Sequence, residues 1–152
     1  MKYKYMLMTV ALAVLILAGV LYLALKPITV QAQLTYDGGT INVLVADSLL
    51  ERSHGLSGTH IDTLGADGML FLFDDASVQT FWMNRMNYAL DVIWIKDGEI
   101  MKISENISPP TTDSSEIARM SSSPFAVDKV LELPAGQAST RGLKVGMRLT
   151  VD

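Results

Sequence analysis

Residues 90–107 read LDVIWIKDGEIMKISENI, and this stretch decides the fold class. Leu90 to Ile95 is mostly apolar and has the length and composition of a buried β-strand. Asp97-Gly98 is a strong signal for a tight turn, and Glu99 to Ile107 then returns as a second strand. The sequence therefore predicts an antiparallel β-hairpin here.

Short strand signals continue along the rest of the chain beyond residue 27. Alternating apolar residues in 28–34 and 41–45 flank the turn signal Tyr36-Asp37-Gly38-Gly39, which predicts another hairpin. We expect Asp74-Asp75 to end the strand that begins at Met69, and Ser108 to Pro124 to form a long loop. The further predicted strands are Met69 to Phe73, Thr80 to Met83, Ala126 to Leu133 and Arg148 to Val151.

Helix signals in this part of the chain are few. Ser48 and Glu51 have the spacing of a capping box and Gly55 is a natural terminator, so a short helix is predicted from Leu49 to His54. A second short helix is expected before Arg141. The predicted fold class is mostly β (α+β): a compact antiparallel sheet curled into a barrel- or sandwich-like domain with one or two short helices, preceded by one transmembrane helix.

The transmembrane prediction rests on Met6 to Leu25, twenty residues without a charge. Such a run spans roughly 30 Å as a helix, about the thickness of a bilayer core. Lys2 and Lys4 precede it and only Lys26 follows closely, so the N-terminus is expected in the cytoplasm and the body outside it, periplasmic or extracellular.

Two segments are therefore expected: an N-terminal transmembrane anchor or uncleaved signal over residues 1–26, and a single extracytoplasmic β-rich domain over residues 27–152. A cleavable signal has an apolar region of only about 7–15 residues, which favours a retained anchor here. Val30-Gln31-Ala32 would nevertheless serve as a cleavage site.

Composition excludes several classes of function. Beyond residue 26 the chain has nine basic and sixteen acidic residues, a net charge of −7, and no basic cluster, so nucleic acid is not an expected partner. There is no cysteine, hence no disulfide or thiol chemistry. No phosphate-binding loop, dinucleotide fingerprint or nucleophile elbow is present, and no cofactor is expected. His54 and His60 match no standard ligand spacing, so no metal is expected.

Six blocks together resemble the prokaryotic family named domain of unknown function 192, over about Ile41 to Val151. The blocks are Glu51-Arg52 with Gly55-Leu56, Gly68-Met69-Leu70-Phe71, Phe81-Trp82-Met83, Leu90-Asp91-Val92-Ile93, Asp97-Gly98, and the run from Val130 to Gly136. The resemblance implies a compact β-rich fold and no known reaction. The chain departs from the family pattern at Ser57, Thr59, Asn84, Ala89 and Met147, where Met, a basic residue, Lys, Pro and Asp are usual.

Asp91 is a carboxylate inside an apolar strand, where it must face solvent or find a partner. Strand alternation places it on the face of Ile93 and Ile95. Arg52 is the best candidate partner, in an ion pair that either fixes the helix against the sheet or contacts a ligand.

Glu132 faces opposite to Leu131 and Leu133, so it is either simply exposed or paired with Asp91 across a cleft for acid–base chemistry. Phe81-Trp82-Met83 forms either core or an apolar binding wall, with Trp82 expected to face outward.

The candidate ligand-binding residues are thus Arg52, Trp82, Asn84, Asp91 and Glu132, and no catalytic residue is assigned. The favoured function is a membrane-anchored, non-enzymatic binding or interaction module at the cell envelope, whose partner is an envelope ligand or protein. The alternative is a hydrolase-like enzyme that acts on cell-envelope material through Asp91, Glu132 and Arg52. A third possibility is a purely structural role in the envelope, which predicts no well-formed cleft.

Overall fold

The computed structural model describes residues 3, 11–17, 30–111 and 117–152. Within the described residues from 30 onward, the chain forms short strands, two short α-helices and one 3₁₀ turn at Ile61–Thr63. The elements are β1 Val30–Tyr36, β2 Gly39–Ala46, α1 Leu49–His54, β3 Gly68–Ser77, β4 Thr80–Trp82, β5 Leu90–Lys96, β6 Glu99–Ile107, β7 Arg119–Ser121, β8 Val127–Pro134, α2 Gln137–Thr140 and β9 Thr150–Val151.

Seven of these strands form one curled sheet, in the order β6-β5-β8-β3-β2-β1-β9, while β4 and β7 form a separate pair. The prediction of a mostly β, curled sheet with few short helices is confirmed, and the sheet is a half-barrel. The expectation of a purely antiparallel sheet is wrong, because β2 and β3 are parallel. The connection over residues 47–67 is long enough to bring the chain back to the sheet edge at which β2 starts, so that β3 can run in the same direction as β2.

Local signals in the sequence predict several elements correctly. The hairpins β1–β2 and β5–β6 form as expected. Helix α1 has the predicted bounds and a complete capping box between Ser48 and Glu51. Two elements differ from expectation: β3 continues through Asp74-Asp75 because these side chains are not buried, and β7 lies within the expected loop, where Met120 is buried. Residues 112–116 of that loop lie outside the described residues.

The curled sheet is covered on both faces. We call the enclosed side the inner face, because its apolar cluster joins Leu34 of β1 to Ile100 of β6, near opposite edges of the sheet. The outer face carries a second cluster that includes Phe71, Val92 and Trp94, packed under α1 and the β4–β7 pair. Burial on both sides explains why β3 and β5 have continuous apolar runs rather than alternating ones.

The C-terminal segment connects the two edges of the curled sheet. The Leu149 amide donates to the Gly98 carbonyl at 2.8 Å, and the Ile100 amide donates to the Met147 carbonyl at 2.9 Å. Two residues later, β9 pairs with β1. The segment over residues 147–151 is thus hydrogen-bonded to both β6 and β1. By bridging these two strands it encloses the inner cluster.

Asp91 lies on the inner face, fully buried, as strand alternation predicts. Its Oδ2 accepts a hydrogen bond from the Ala138 amide of α2 at 3.0 Å, and its Oδ1 accepts one from the Asn106 amide at 2.9 Å. Asn106 belongs to a bulge in β6 and has a φ of +55°. The expected ion pair with Arg52 is wrong, because Arg52 lies over the outer face and the sheet separates the two side chains.

Only part of the apolar N-terminal run is described. Residues 11–17 are helical and exposed, and the rest of Met6 to Leu25 lies outside the described residues. In the parts of the chain that the structure describes, no helix is long and apolar enough to cross a bilayer.

The role of Asp91 gives a first prediction. Replacement Asp91→Asn keeps one acceptor oxygen but directs an NH₂ group at a backbone N–H donor, so one buried donor loses its partner. We expect a loss of about 2–3 kcal/mol in the free energy of unfolding, measured by urea denaturation. Asp128→Asn is the matched control, since Asp128 also accepts a backbone N–H but at a partly exposed position. Equal stability of both variants would contradict this role.

Candidate functional site

A cavity of about 230 Å³ opens between α1 and the outer face of the sheet. Its walls come from α1 and the turn after it, from β3 and β4, and from β8. Seven of the fifteen lining residues are apolar or aromatic, seven are polar or ionisable, and one is glycine. The lining residues are Leu49, Arg52, Ser53, His54, Gly55, Leu56, Ser57, Phe71, Phe73, Gln79, Thr80, Phe81, Trp82, Met86 and Glu132.

Helix α1 and the turn after it are held at the rim by local interactions. Ser48 and Glu51 satisfy the first amides of the helix through the capping box. Gly55 ends the helix with a φ of +52°, and a Cβ there would lie 3.3 Å from Cζ of Phe71. The backbone can therefore approach the aromatic wall closely only because this residue is glycine. Leu56, which follows, is buried in the outer cluster.

Aromatic rings build one wall of the cavity. Phe81 packs edge-on against Phe71, Phe73 and Trp94, with ring centroids 4.9, 6.5 and 5.7 Å apart. Such edge-to-face contacts are favourable and fix ring orientation. Trp82 is half exposed at the rim, while Phe81 packs on the core and Met83 is buried. The expectation that Trp82 faces outward is confirmed.

Glu132 lies on β8, on the outer face, directly opposite Met69 of β3 and Val92 of β5. Only 5% of it is exposed. The interpretation of Glu132 as a simple surface residue is therefore wrong, because α1 and the β4–β7 pair cover that face. Among the described residues, no hydrogen bond or ion pair to its carboxyl group is found.

Burial without a partner changes the acidity of this group. It raises the pKa of Glu132 from an ordinary value of 4.5 to about 8, because no nearby cation or donor offsets the loss of water. The Glu132 side chain is therefore largely a neutral carboxylic acid at pH 7. Burial also raises the pKa of Tyr88, with a smaller contribution from Glu132, so this phenol stays neutral.

The strand next to Glu132 approaches unusually closely. At Gly68, where β3 begins, a Cβ would lie 2.1 Å from the Glu132 carbonyl oxygen. Any other residue here would push β3 away from β8 and widen the floor of the cavity. Gly68 thus positions the backbone that carries the buried carboxyl.

Arg52 lies at the rim and is already engaged by the protein. Its guanidinium group lies over the Phe73 ring, 5.4 Å from the centroid. One of its nitrogens donates to the Leu72 carbonyl at 2.9 Å and also to the Asp47 carbonyl. These contacts replace the expected pairing with Asp91 and fix α1 against the middle of β3.

The structure brings three of the five candidate residues to one cavity: Arg52, Trp82 and Glu132. Asn84 is exposed beside it, and its carbonyl accepts a hydrogen bond from the Ser57 hydroxyl at 2.8 Å. Asp91 is on the opposite face of the sheet. The hypothesis of an Asp91–Glu132 carboxylate pair is therefore wrong, since adjacent strands align Glu132 with Val92 and Asp91 with Leu133.

Sequence reasoning missed part of the aromatic wall. Phe71 and Phe73 read as ordinary core residues in a buried strand, and nothing local distinguishes a ring that lines a cavity from one that packs fully. Their spacing of two does place both on one face. Which face carries the cavity depends on the β4–β7 pair, and β7 was not predicted.

The arrangement is suited to binding a molecule with an apolar body and one polar group. The walls exclude water from that body, and the Glu132 carboxyl can exchange a hydrogen bond or a charge with the polar group. Within the described ranges, no three His, Asp or Glu side chains are grouped to hold a metal ion.

The buried acid makes stability depend on pH. Because the folded pKa of Glu132 lies above the unfolded one, its contribution is most favourable below about pH 4.5 and is lost as the pH rises to about 8. Glu132→Gln cannot ionise. We therefore expect this variant to gain stability relative to the parent between pH 5 and 8.5, on the order of a few kcal/mol, since one pKa unit is about 1.4 kcal/mol.

Urea denaturation of both proteins across this pH range measures the effect. Glu105→Gln, at an exposed position, is the control and should follow the parent at every pH. A constant difference between Glu132→Gln and the parent from pH 5 to 8.5 would show that Glu132 is not a perturbed acid.

Solved structures with the same fold come from two bacteria. One, from Sinorhizobium meliloti 1021, is described as a candidate transcription regulator; it is 29% identical, with a TM-score of 0.68, over 83% of this chain and 97% of that chain. The other, a protein of unknown function from Novosphingobium aromaticivorans DSM 12444, is 26% identical, with a TM-score of 0.63, over 80% of this chain and 84% of that chain. No curated protein matches the chain.

The family comparison covers most of the chain. The model of the DUF192 family, described as "Uncharacterized ACR, COG1430", matches residues 32–151. This range contains β3, β5 and β8 in full, together with α1 and the whole cavity lining. The chain therefore belongs to the DUF192 family.

Proposed function

We propose that this protein is a membrane-anchored binding module whose cavity takes a small ligand with an apolar body and one polar group. A single observation carries the proposal: the aromatic cavity contains a buried carboxyl group, Glu132, to which the described residues offer no partner. Buried polar groups in native proteins are nearly always hydrogen-bonded, and the exceptions call for an explanation. A ligand that supplies the missing partner is such an explanation.

Packing supports binding over a purely structural role. A carboxyl group in this position destabilises the fold, since burying an unpaired polar group costs free energy. An apolar residue would complete the outer cluster without that cost. The unfavourable burial of Glu132 therefore supports a role in ligand binding over a role in core packing.

The lining residues favour binding over hydrolysis. Glu132 is the single carboxyl among them, so a two-carboxylate mechanism has no second group. The hydroxyls of Ser53 and Ser57 donate to the carbonyls of Leu50 and Asn84. A serine nucleophile would instead be paired with a base such as His54.

Nucleic acid is not part of the proposal, although one relative is described as a candidate transcription regulator. The body beyond residue 26 has a net charge of −7 and no basic run. Binding to phosphates needs clustered Lys or Arg.

We propose that the β-rich domain is located on the outer side of a membrane. The uncharged run from Met6 to Leu25 has the length of a bilayer span, and the lysines before it favour a cytoplasmic N-terminus. Strand β1 begins at Val30, so the tether is short. Cleavage after Ala32 would remove the first three residues of β1, which supports a retained anchor.

Blocking the cavity tests the binding function. We expect a fragment library screened by saturation-transfer NMR to yield ligands with an apolar ring or chain. Thr80→Trp, which adds a large ring to the lining, should abolish their binding.

Thr150→Trp is the matched control, because Thr150 is an exposed strand residue remote from the lining residues. Fragments that bind equally well to the parent and to Thr80→Trp, or a screen without binders, would contradict the proposed function.

A separate experiment tests the membrane attachment and the location of the domain. The full chain expressed in bacteria should stay in the membrane pellet after alkaline carbonate washing, and protease added to spheroplasts should remove residues 27–152. A variant with Leu12, Leu15 and Ile16 all changed to Lys should be released, since each charge at a helix centre opposes insertion by about 3 kcal/mol. Protection of the domain in intact spheroplasts would contradict the proposed orientation.

A further inference from the structure

We infer that the ligand of this cavity carries an organic ammonium group, held by the Glu132 carboxylate and the surrounding aromatic rings. This inference rests on the proposed binding function and names the chemical class of its ligand. The juxtaposition that carries it is one buried, unpartnered acid in a cavity walled by Phe71, Phe73, Phe81 and Trp82.

Glu132 has no competing partner from the elements packed around it. Its neighbours across the sheet, Met69 and Val92, are apolar. The other ionisable groups nearby are Arg52, His54, Tyr88 and, over the Trp82 ring, Arg119. The Tyr88 hydroxyl is bonded to the Thr59 hydroxyl at 3.0 Å, and the guanidinium group of Arg52 is held over Phe73 by backbone carbonyls. His54 is exposed. A cationic ligand would therefore meet an acid to which the described part of the chain supplies no counter-ion.

The aromatic walls suit a cation as well. A positive group within about 6 Å of a ring centroid is attracted by the ring quadrupole, and ammonium ligands are bound in this way in aromatic cages. The chain already uses two of its own rings in this manner: Arg52 lies 5.4 Å from the Phe73 centroid, and Arg119 lies 6.0 Å from the Trp82 centroid.

An anionic ligand fits less well. It would enter a site whose acid already opposes negative charge, in a body with a net charge of −7. Arg52 could attract it at the rim, but its guanidinium is already bonded to Leu72 and Asp47. The cavity volume of about 230 Å³ also limits the ligand to a single ring or a short chain, since drug-sized ligands occupy about 300–1,000 Å³.

The ion pair makes binding depend on pH in a defined direction. Glu132 must lose its proton before it can pair with an ammonium group, and burial raises its pKa to about 8. Below that pH, binding releases the Glu132 proton to solvent, while the ligand keeps its own. Affinity should thus increase about tenfold per pH unit from pH 6 to 8 and then level off, because Glu132 is ionised above that pH. The ligand stays charged throughout this range, because alkylammonium groups resemble lysine and titrate at about 10.

The test uses three probes with the same aromatic body and different charge: 2-phenylethylammonium, 2-phenylethanol and 3-phenylpropionate. The full chain is placed in phosphatidylglycerol nanodiscs, whose lipids lack an ammonium group. Isothermal titration calorimetry at pH 8.5, with empty nanodiscs subtracted, should give the ammonium at least about tenfold tighter binding than the alcohol, and the carboxylate the weakest binding.

Variants separate the charge of Glu132 from its shape. Glu132→Gln should lose the preference for the ammonium over 2-phenylethanol and bind the two probes about equally. Glu105→Gln removes one exposed charge and should keep that preference. Trp82→Leu, at a half-exposed position that tolerates change, should weaken the ammonium more than the alcohol. Near-ultraviolet circular dichroism confirms that each variant is folded.

Proton release provides a second readout. At pH 6.5, titrations of the parent in buffers of different ionisation enthalpy should report release of nearly one proton per ammonium bound, and Glu132→Gln should release none.

The outcomes distinguish this inference from the proposed function. Equal binding of all three probes, or a preference for the carboxylate, would overturn the ammonium assignment and leave the binding module standing. Failure of all three probes would overturn it too, and a fragment screen without any binder would overturn both.

Discussion

Burial of the central sheet on both faces is the constraint on which the rest of this structure depends. Parts of β3, β5 and β8 are covered on the inner side by the enclosed cluster and on the outer side by α1 and the β4–β7 pair, so the buried residues of these strands face a packed environment on either side. A polar side chain that is buried there must therefore be given partners or line a cavity. The two buried polar side chains in these strands, Asp91 and Glu132, use one of these solutions each.

Asp91 and Glu132 illustrate the two solutions, and they lie in consecutive residue pairs between β5 and β8. Asp91 is opposite Leu133 and points to the inner face, where amides of α2 and of the β6 bulge satisfy its two oxygens. Glu132 is opposite Val92 and points to the outer face, where none of the described residues donates a hydrogen bond to it. The first carboxylate ties two elements to the sheet and contributes to stability. The second opposes stability, and this contrast locates the site on the outer face.

The cavity follows from small features of the chain around Glu132. Gly55 and Gly68 allow close approaches of α1 to Phe71 and of β3 to β8, and no larger residue fits at Gly68. Arg52 is held at the rim by two carbonyls and the Phe73 ring, so it is part of the wall. These contacts preorganise the rim for the proposed ligand, and preorganised sites bind at low entropic cost.

The sequence by itself determined the elements whose signals are local. The Asp97-Gly98 turn, the Ser48–Glu51 capping box and the alternation around Asp91 each act within a few residues, and each element formed as predicted. The six blocks also identified the family. Alternation along one strand even predicted that Glu132 faces away from Leu131 and Leu133. Only the tertiary structure decided what covers that face, because the answer depends on β7 and α1, which are distant in sequence. For the same reason Arg52 could not be assigned to the correct side of the sheet: its partners are backbone carbonyls and a ring, which leave no mark in the sequence.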